Sequence, residues 1–202
     1  MGSQRCKEAS TGYCWSDIYE FDLQSKIEKR ISSLRAFRIG SAYYLPDNKK
    51  IVTSIIGDLY PQDLAPVPLV TQYGIEREVF VVDQSKARVY EQLALDTPTG
   101  SHPRPLSSGE VAFVSRVNEY ENKKGDFIYD VFLWSHGTSR RLTQANRYIH
   151  DYAISDSAKW VLLFTKVETA PQQCEMILWN VTEHISRNLK CEGLISELPL
   201  TP

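Results

Sequence analysis

Long apolar runs are missing from this sequence: no stretch approaches the roughly 20 residues that a membrane-spanning helix needs. Concentrated charge of one sign is missing as well. The 202 residues include 23 Lys and Arg against 25 Asp and Glu, a net charge of -2, with no basic block or stripe. A nucleic-acid partner is therefore not expected. Catalytic signatures are equally scarce. There is no G-x-S-x-G elbow, no P-loop, no G-x-G-x-x-G and no H-E-x-x-H, so no catalytic residue and no cofactor is assigned. The cysteines include no C-x-x-C pair, which argues against zinc and against thioredoxin-like redox chemistry. The opening residues, MGSQRCKEAS, are too polar for a signal peptide, and Gly2 with Cys6 falls short of a myristoylation motif.

What is present is aromatic and alternating. Eleven Tyr, seven Phe and four Trp sit mostly in short runs of period two, which favours strands over helices. The best helical candidate, Asp22 to Leu34, spaces Leu23, Ile27, Ile31 and Leu34 at helical intervals, but a hairpin fits the same residues.

Internal similarity decides for the hairpin. Ser16–Lys26, Arg77–Lys86, Tyr129–Thr138 and Cys174–Glu183 are each an alternating run followed by a polar turn and a second short strand. Measured at Ile18, Val79, Val131 and Met176, the copies lie 61, 52 and 45 residues apart. Between them recurs a second pair of strands around a tight corner: Ala42–Ser54, His102–Ser115 and Asp151–Thr165. Asp, Asn, Ser and Gly accept the bends, and Pro46 presets φ at its corner. The expected fold is all-β: a β-propeller of four-stranded antiparallel blades, stacked so that each covers its neighbour's apolar face.

These residues resemble a known family. Asp17-Ile18-Tyr19, Leu45-Pro46-Asp47-Asn48-Lys49-Lys50-Ile51, Val111-Ala112-Phe113-Val114-Ser115 and Arg140-Arg141-Leu142-Thr143 follow the pattern of TolB-type, WD-repeat-like β-propeller repeats. The pattern is similar also to the propeller of prolyl-oligopeptidase-type peptidases. It covers roughly Trp15 to Leu189, with the corner glycine replaced by Asn48 in one copy and Ala158 in another. The resemblance implies a binding or gating propeller and, for TolB-type members, a periplasmic or extracellular location, with the cytoplasm as the alternative.

The expected organisation is an N-terminal extension over 1–14 and a propeller over 15–202. Full blades are placed at 37–95, 102–144 and 150–189, and residues 15–31 with 192–200 form a closing blade. The result is a four-bladed ring or a partial ring of a larger propeller, and an incomplete ring would form homo-oligomers through its open faces. Cys6 and Cys14 lie near one end, Cys174 and Cys191 near the other. They read either as four free thiols or as two disulfides. A bridge closing a loop of more than 150 residues would stabilise by roughly 4–5 kcal/mol in the chain-entropy model.

Candidate binding residues fall at the crossings between blades: Arg35, Arg38, His102, Arg104, Arg147, Tyr148 and His150. His102 and His150 read as equivalent starts of inner strands, where two imidazoles could meet, but two ligands are too few for a metal site. The loops Gly57–Glu76, Asn118–Asp126 and Val167–Gln173 open on the same face, and Asn180-Val181-Thr182 matches a glycosylation sequon. Together these features point to a non-catalytic module that binds a protein or peptide through one face. The alternative is the propeller domain of an enzyme, a peptidase gate or a channel-metal lyase fragment.

Overall fold

The computed structural model describes residues 2–5, 15–32, 38–56, 77–83, 90–93, 97, 99–121, 127–167 and 170–190. The described residues form strands and turns, arranged as four antiparallel sheets. Blade 1 holds β1 (Gly2–Arg5), β2 (Trp15–Phe21) and β3 (Glu28–Arg30). Blade 2 holds β4 (Arg38–Tyr44), β5 (Lys50–Ile56), β6 (Arg77–Asp83) and β7 (Tyr90–Gln92). Blade 3 holds β8 (Ser101–Pro105), β9 (Val111–Glu121), β10 (Phe127–Ser135) and β11 (Thr138–Arg141). Blade 4 holds β12 (Ile149–Ile154), β13 (Trp160–Val167), β14 (Ala170–Asn180) and β15 (Ile185–Lys190). Within each sheet, strands pair in chain order.

Two placements differ from the sequence reading. Gly2–Arg5, expected within an extension, pairs with Trp15–Ile18 and supplies a strand of blade 1. β9 runs on to Glu121 and β14 begins at Ala170, so only 122–126 and 168–169 remain as connections. Those two segments, the 57–76 loop, the tail at 191–202, Cys6, Cys14, Cys191 and Arg35 lie outside the described residues. Cys174 is on β14, its backbone opposite Lys166.

Strand alternation gives each blade two apolar faces. Ile18 and Ile31 of blade 1 pack against Ile51, Ile55, Phe80 and Val82 of blade 2. Val52, Val79 and Val81 on the other face of blade 2 meet Val111 and Phe113 of blade 3. Ala112, Val114, Val131 and Leu133 of blade 3 meet Tyr152, Val161, Leu163, Ile177 and Trp179 of blade 4. Each seam is therefore a dry layer between two sheets, and most of the hydrophobic stabilisation lies there.

The corners follow from local chemistry. Asn48, Gly109 and Ala158 close the turn between the first two strands of their blades, with φ of 53°, 86° and 53°. The left-handed conformation suits glycine, tolerates Asn, and strains Ala. Asp22 and Asn180 cap a second kind of turn. Asp22 Oδ1 accepts from the N–H groups of Gln24 and Ser25, and Asn180 Oδ1 from those of Thr182 and Glu183. Asn180 is buried in this role, so the sequon asparagine serves as a turn cap.

The Asp-Ile-Tyr and Arg-Leu-Thr motifs meet as one latch. Arg141 pairs with Asp130, whose Oδ1 also accepts from the Thr143 hydroxyl at 2.8 Å and the Ala145 N–H at 2.8 Å. The Thr143 hydroxyl accepts in turn from Val131 N–H at 3.0 Å, and Arg141 Nε donates to the Thr143 carbonyl at 2.9 Å. Blade 1 repeats the set: Arg30 pairs with Asp17, and Ser32 Oγ accepts from Ile18 N–H at 2.8 Å. The latch ties the third strand to the fourth where the ladder ends, so these motif residues are architectural.

Candidate functional site

Each four-stranded blade is entered at its inner strand, β4, β8 or β12, and alternates direction from there, so these strands start and their second strands end on one face. Three inner strands are linked through Arg104 on β8. Its Nη1 donates to the Tyr43 hydroxyl of β4 at 2.6 Å, and its Nη2 to Asp151 Oδ1 of β12 at 3.3 Å. The guanidinium carbon also lies 5.2 Å from the centre of the Tyr43 ring. Burial by itself would lower the Arg104 pKa, but the neighbouring Tyr43 and Asp151 outweigh it and hold the charge more firmly. A permanent cation thus joins blades 2, 3 and 4.

Tyr152, next to Asp151, is fully buried and donates to the His102 carbonyl at 2.9 Å. Burial pushes its phenol well above the ordinary value, so it stays neutral as a donor. His102 itself has φ of 51° and lies in a β-bulge between Ser101 and Arg104, with Nδ1 3.1 Å from Ser101 Oγ. The bulge in blade 4 lies between Ile149 and Asp151. Counted from the corners at Leu106 and Ser155, His102 is the counterpart of Asp151, while His150 stands one residue earlier. The two histidines are therefore not equivalent positions, contrary to the sequence reading. Among the described residues, no three His, Cys, Asp or Glu cluster as a metal site.

The crossover from blade 3 to blade 4 carries the other candidates. Arg147 bridges by its backbone to Tyr129 and pairs by its side chain with Glu175 of β14. Tyr148, half-exposed at 52%, sets its ring edge-on to Tyr129 at 5.5 Å and to His150 at 5.0 Å. Tyr129, Tyr148 and His150 form a short aromatic ladder beside the Arg147–Glu175 pair. Arg38 is exposed at the start of β4, away from these contacts. Tyr43, Tyr129 and Glu175 complete the site together with Asp151 and were not singled out as binding residues from sequence. A signal did exist for one of them, since Tyr43 and Arg104 both stand two residues before their corner leucines, Leu45 and Leu106.

Four stacked antiparallel sheets, entered at their inner strands and bonded across the inner edge by Arg104, define a β-propeller. The structure is similar to TolB from Acinetobacter baumannii, with a TM-score of 0.61 and 15% identity over 95% of this chain and 41% of that one. It is similar to the tricorn protease, with a TM-score of 0.60 and 12% identity over 95% of this chain and 21% of that one. The β-propeller domain of the trilobed protease from Pyrococcus furiosus, described as having an open velcro topology, gives a TM-score of 0.56 and 16% identity. That match covers 95% of this chain and 53% of the other. The chain thus spans less than two thirds of each of these structures. No family model matches the sequence, and no curated protein is detectably similar to it. No helix among the described residues is long and apolar enough to cross a membrane.

Proposed function

We propose that this propeller is a non-catalytic binding module that takes a protein or peptide partner on its crossover face. The observation that supports it is the Tyr129–Tyr148–His150 ladder. Tyr148 is half-exposed and held by ring contacts on two sides, so it offers aromatic area with little entropy left to lose. Arg147 and Glu175 flank it with both signs of charge and serve orientation more than affinity. Arg104, engaged by Tyr43 and Asp151, belongs to the scaffold of the site.

Peptides selected from a displayed random library on the purified protein test this reading. Their affinity should fall about tenfold or more with Tyr148→Ala, the loss expected of an anchor residue. It should be unchanged by Trp160→Ala, which lies at the opposite end of blade 4. Peptides indifferent to Tyr148→Ala would sink the assignment. A second role, as the propeller of a hydrolase, is favoured only by fold likeness to protease propellers. Its mark would be loss of peptide selectivity, with binding intact, in an attached enzyme. The proposed compartment is the periplasm or cell exterior. Four reactive thiols in the native, unreduced protein would count against it.

A further inference from the structure

The three seams use the same register positions in successive blades, and at the two ends of the stack the described residues leave most of those positions partly or fully exposed. On the face of each blade that meets the next one, two cross-strand pairs repeat. They are Val52 opposite Val81 and Ser54 opposite Val79 in blade 2, and Ala112 opposite Leu133 and Val114 opposite Val131 in blade 3. All eight residues are buried under the following blade. The equivalents in blade 4 are Leu162 opposite Leu178 and Phe164 opposite Met176. These are larger and fully apolar, yet Leu162, Phe164 and Leu178 remain partly exposed, with Trp160 and Ile185 exposed around them.

The first blade shows the converse. Alternation puts Tyr19 and Phe21 on the side of β2 opposite Ile18, the side that in blades 2 and 4 packs on the preceding sheet. Their counterparts Phe80, Val82, Ile177 and Trp179 are buried, whereas Phe21 is 51% exposed. Among the described residues, one end of the stack is therefore a forward seam face with no blade packed on it, and the other a backward face with none.

We infer that a second copy of this chain covers both faces: blade 4 of each copy packs on blade 1 of the other, closing a two-chain propeller ring. Two observations argue for a second copy as the occupant of these faces, where Phe164 is partly exposed and Phe21 half-exposed. The match to the trilobed-protease propeller places 95% of this chain on 53% of that domain, so the blade spacing follows an arc of a ring about twice as large. The forward and backward faces are complementary by construction, since the same positions already join blades 1 to 2, 2 to 3 and 3 to 4.

Light scattering on the purified chain at micromolar concentration should give twice the 23.1 kDa of one chain. Phe164→Glu and Phe21→Glu should each yield monomers, and mixing the two variants should restore a dimer, because one of the two seams is then wild-type on both sides. Leu162→Glu should behave as Phe164→Glu does. Variants that merely misfold would not complement one another. A wild-type monomer overturns the inference, including one whose Leu162–Phe164 amides are slow to exchange because its own tail or first blade covers them. Trimers, open filaments, or a dimer indifferent to all three substitutions overturn it equally.

Discussion

The Thr143 hydroxyl accepts from Val131 N–H at 3.0 Å and donates to Asp130 Oδ1 at 2.8 Å, so one side chain closes both a strand end and a buried carboxylate. Asp130 has no exposure of its own. Burial pushes its carboxyl pKa up, against the opposing pull of Ala145 N–H, Thr143 and Arg141. Thr143→Val removes the hydroxyl and leaves two buried groups short of a partner, at a cost of about 1–3 kcal/mol in urea unfolding. Thr143→Ser should recover most of it, because Ser32 fills the same place in blade 1. A Val variant as stable as wild type would show that the latch contributes nothing.

The corner positions give unequal outcomes on paired substitutions. Gly109 has φ of 86° and open space where a Cβ would go, so Gly109→Ala should cost about 1 kcal/mol through backbone strain alone. Ala158 already bears that strain at φ of 53°, but its methyl is buried in the seam between blades 3 and 4. Ala158→Gly relieves about 1 kcal/mol of strain and loses about 0.8 kcal/mol of burial, so thermal unfolding should move little.

Acid should loosen the contact between the corners of blades 3 and 4. Asp156 accepts from Ser107 N–H at 2.7 Å and from the Ser107 hydroxyl, and these bonds hold its pKa below the usual 3.8. Because the folded value is depressed, the contribution is fully present above the unfolded pKa and is lost as pH falls through the folded one. Asp156→Asn should flatten the stability profile below pH 3.8. Asp130 works in the other direction: its raised pKa makes folding take up a proton, so its contribution declines as pH rises past its ordinary value. A profile unchanged by Asp156→Asn would remove this corner from the acid response.

Across the inner strands, burial separates two effects. Tyr152→Phe strips the fully buried hydroxyl from the His102 carbonyl and should cost about 1 kcal/mol or more. The Arg104–Asp151 pair is partly exposed, at 33% and 50% of its side chains, so solvent screening holds its coupling below about 1 kcal/mol. A double-mutant cycle on Arg104 and Asp151 measures that coupling. A value of several kcal/mol would mean that the pair is far less hydrated than its exposure indicates.

The blades and their turns were readable because both signals are local. Short runs of apolar, β-branched and aromatic residues mark Val79–Val82 and Val111–Val114 as strands covered on both faces without knowledge of any neighbour. The corners at Asn48, Gly109 and Ala158 repeat at matching places. His102 and His150 misled for a reason equally specific. One extra residue in a β-bulge shifts everything before it by one position, and each blade places its bulge differently. The strand at Gly2–Arg5 was missed because four polar residues carry no period to read.

The sequence by itself determined the repeating four-stranded unit, the order of the motifs and the tight corners, since these depend on residues a few positions apart. Only the tertiary structure decided that Asp130, Arg141 and Thr143 form one latch, that Arg104 ties Tyr43 to Asp151, and that Leu162, Phe164 and Phe21 stand open at the ends. Those facts depend on how sheets stack and where bulges shift their register. No local pattern of side chains encodes the distance between residues on different blades.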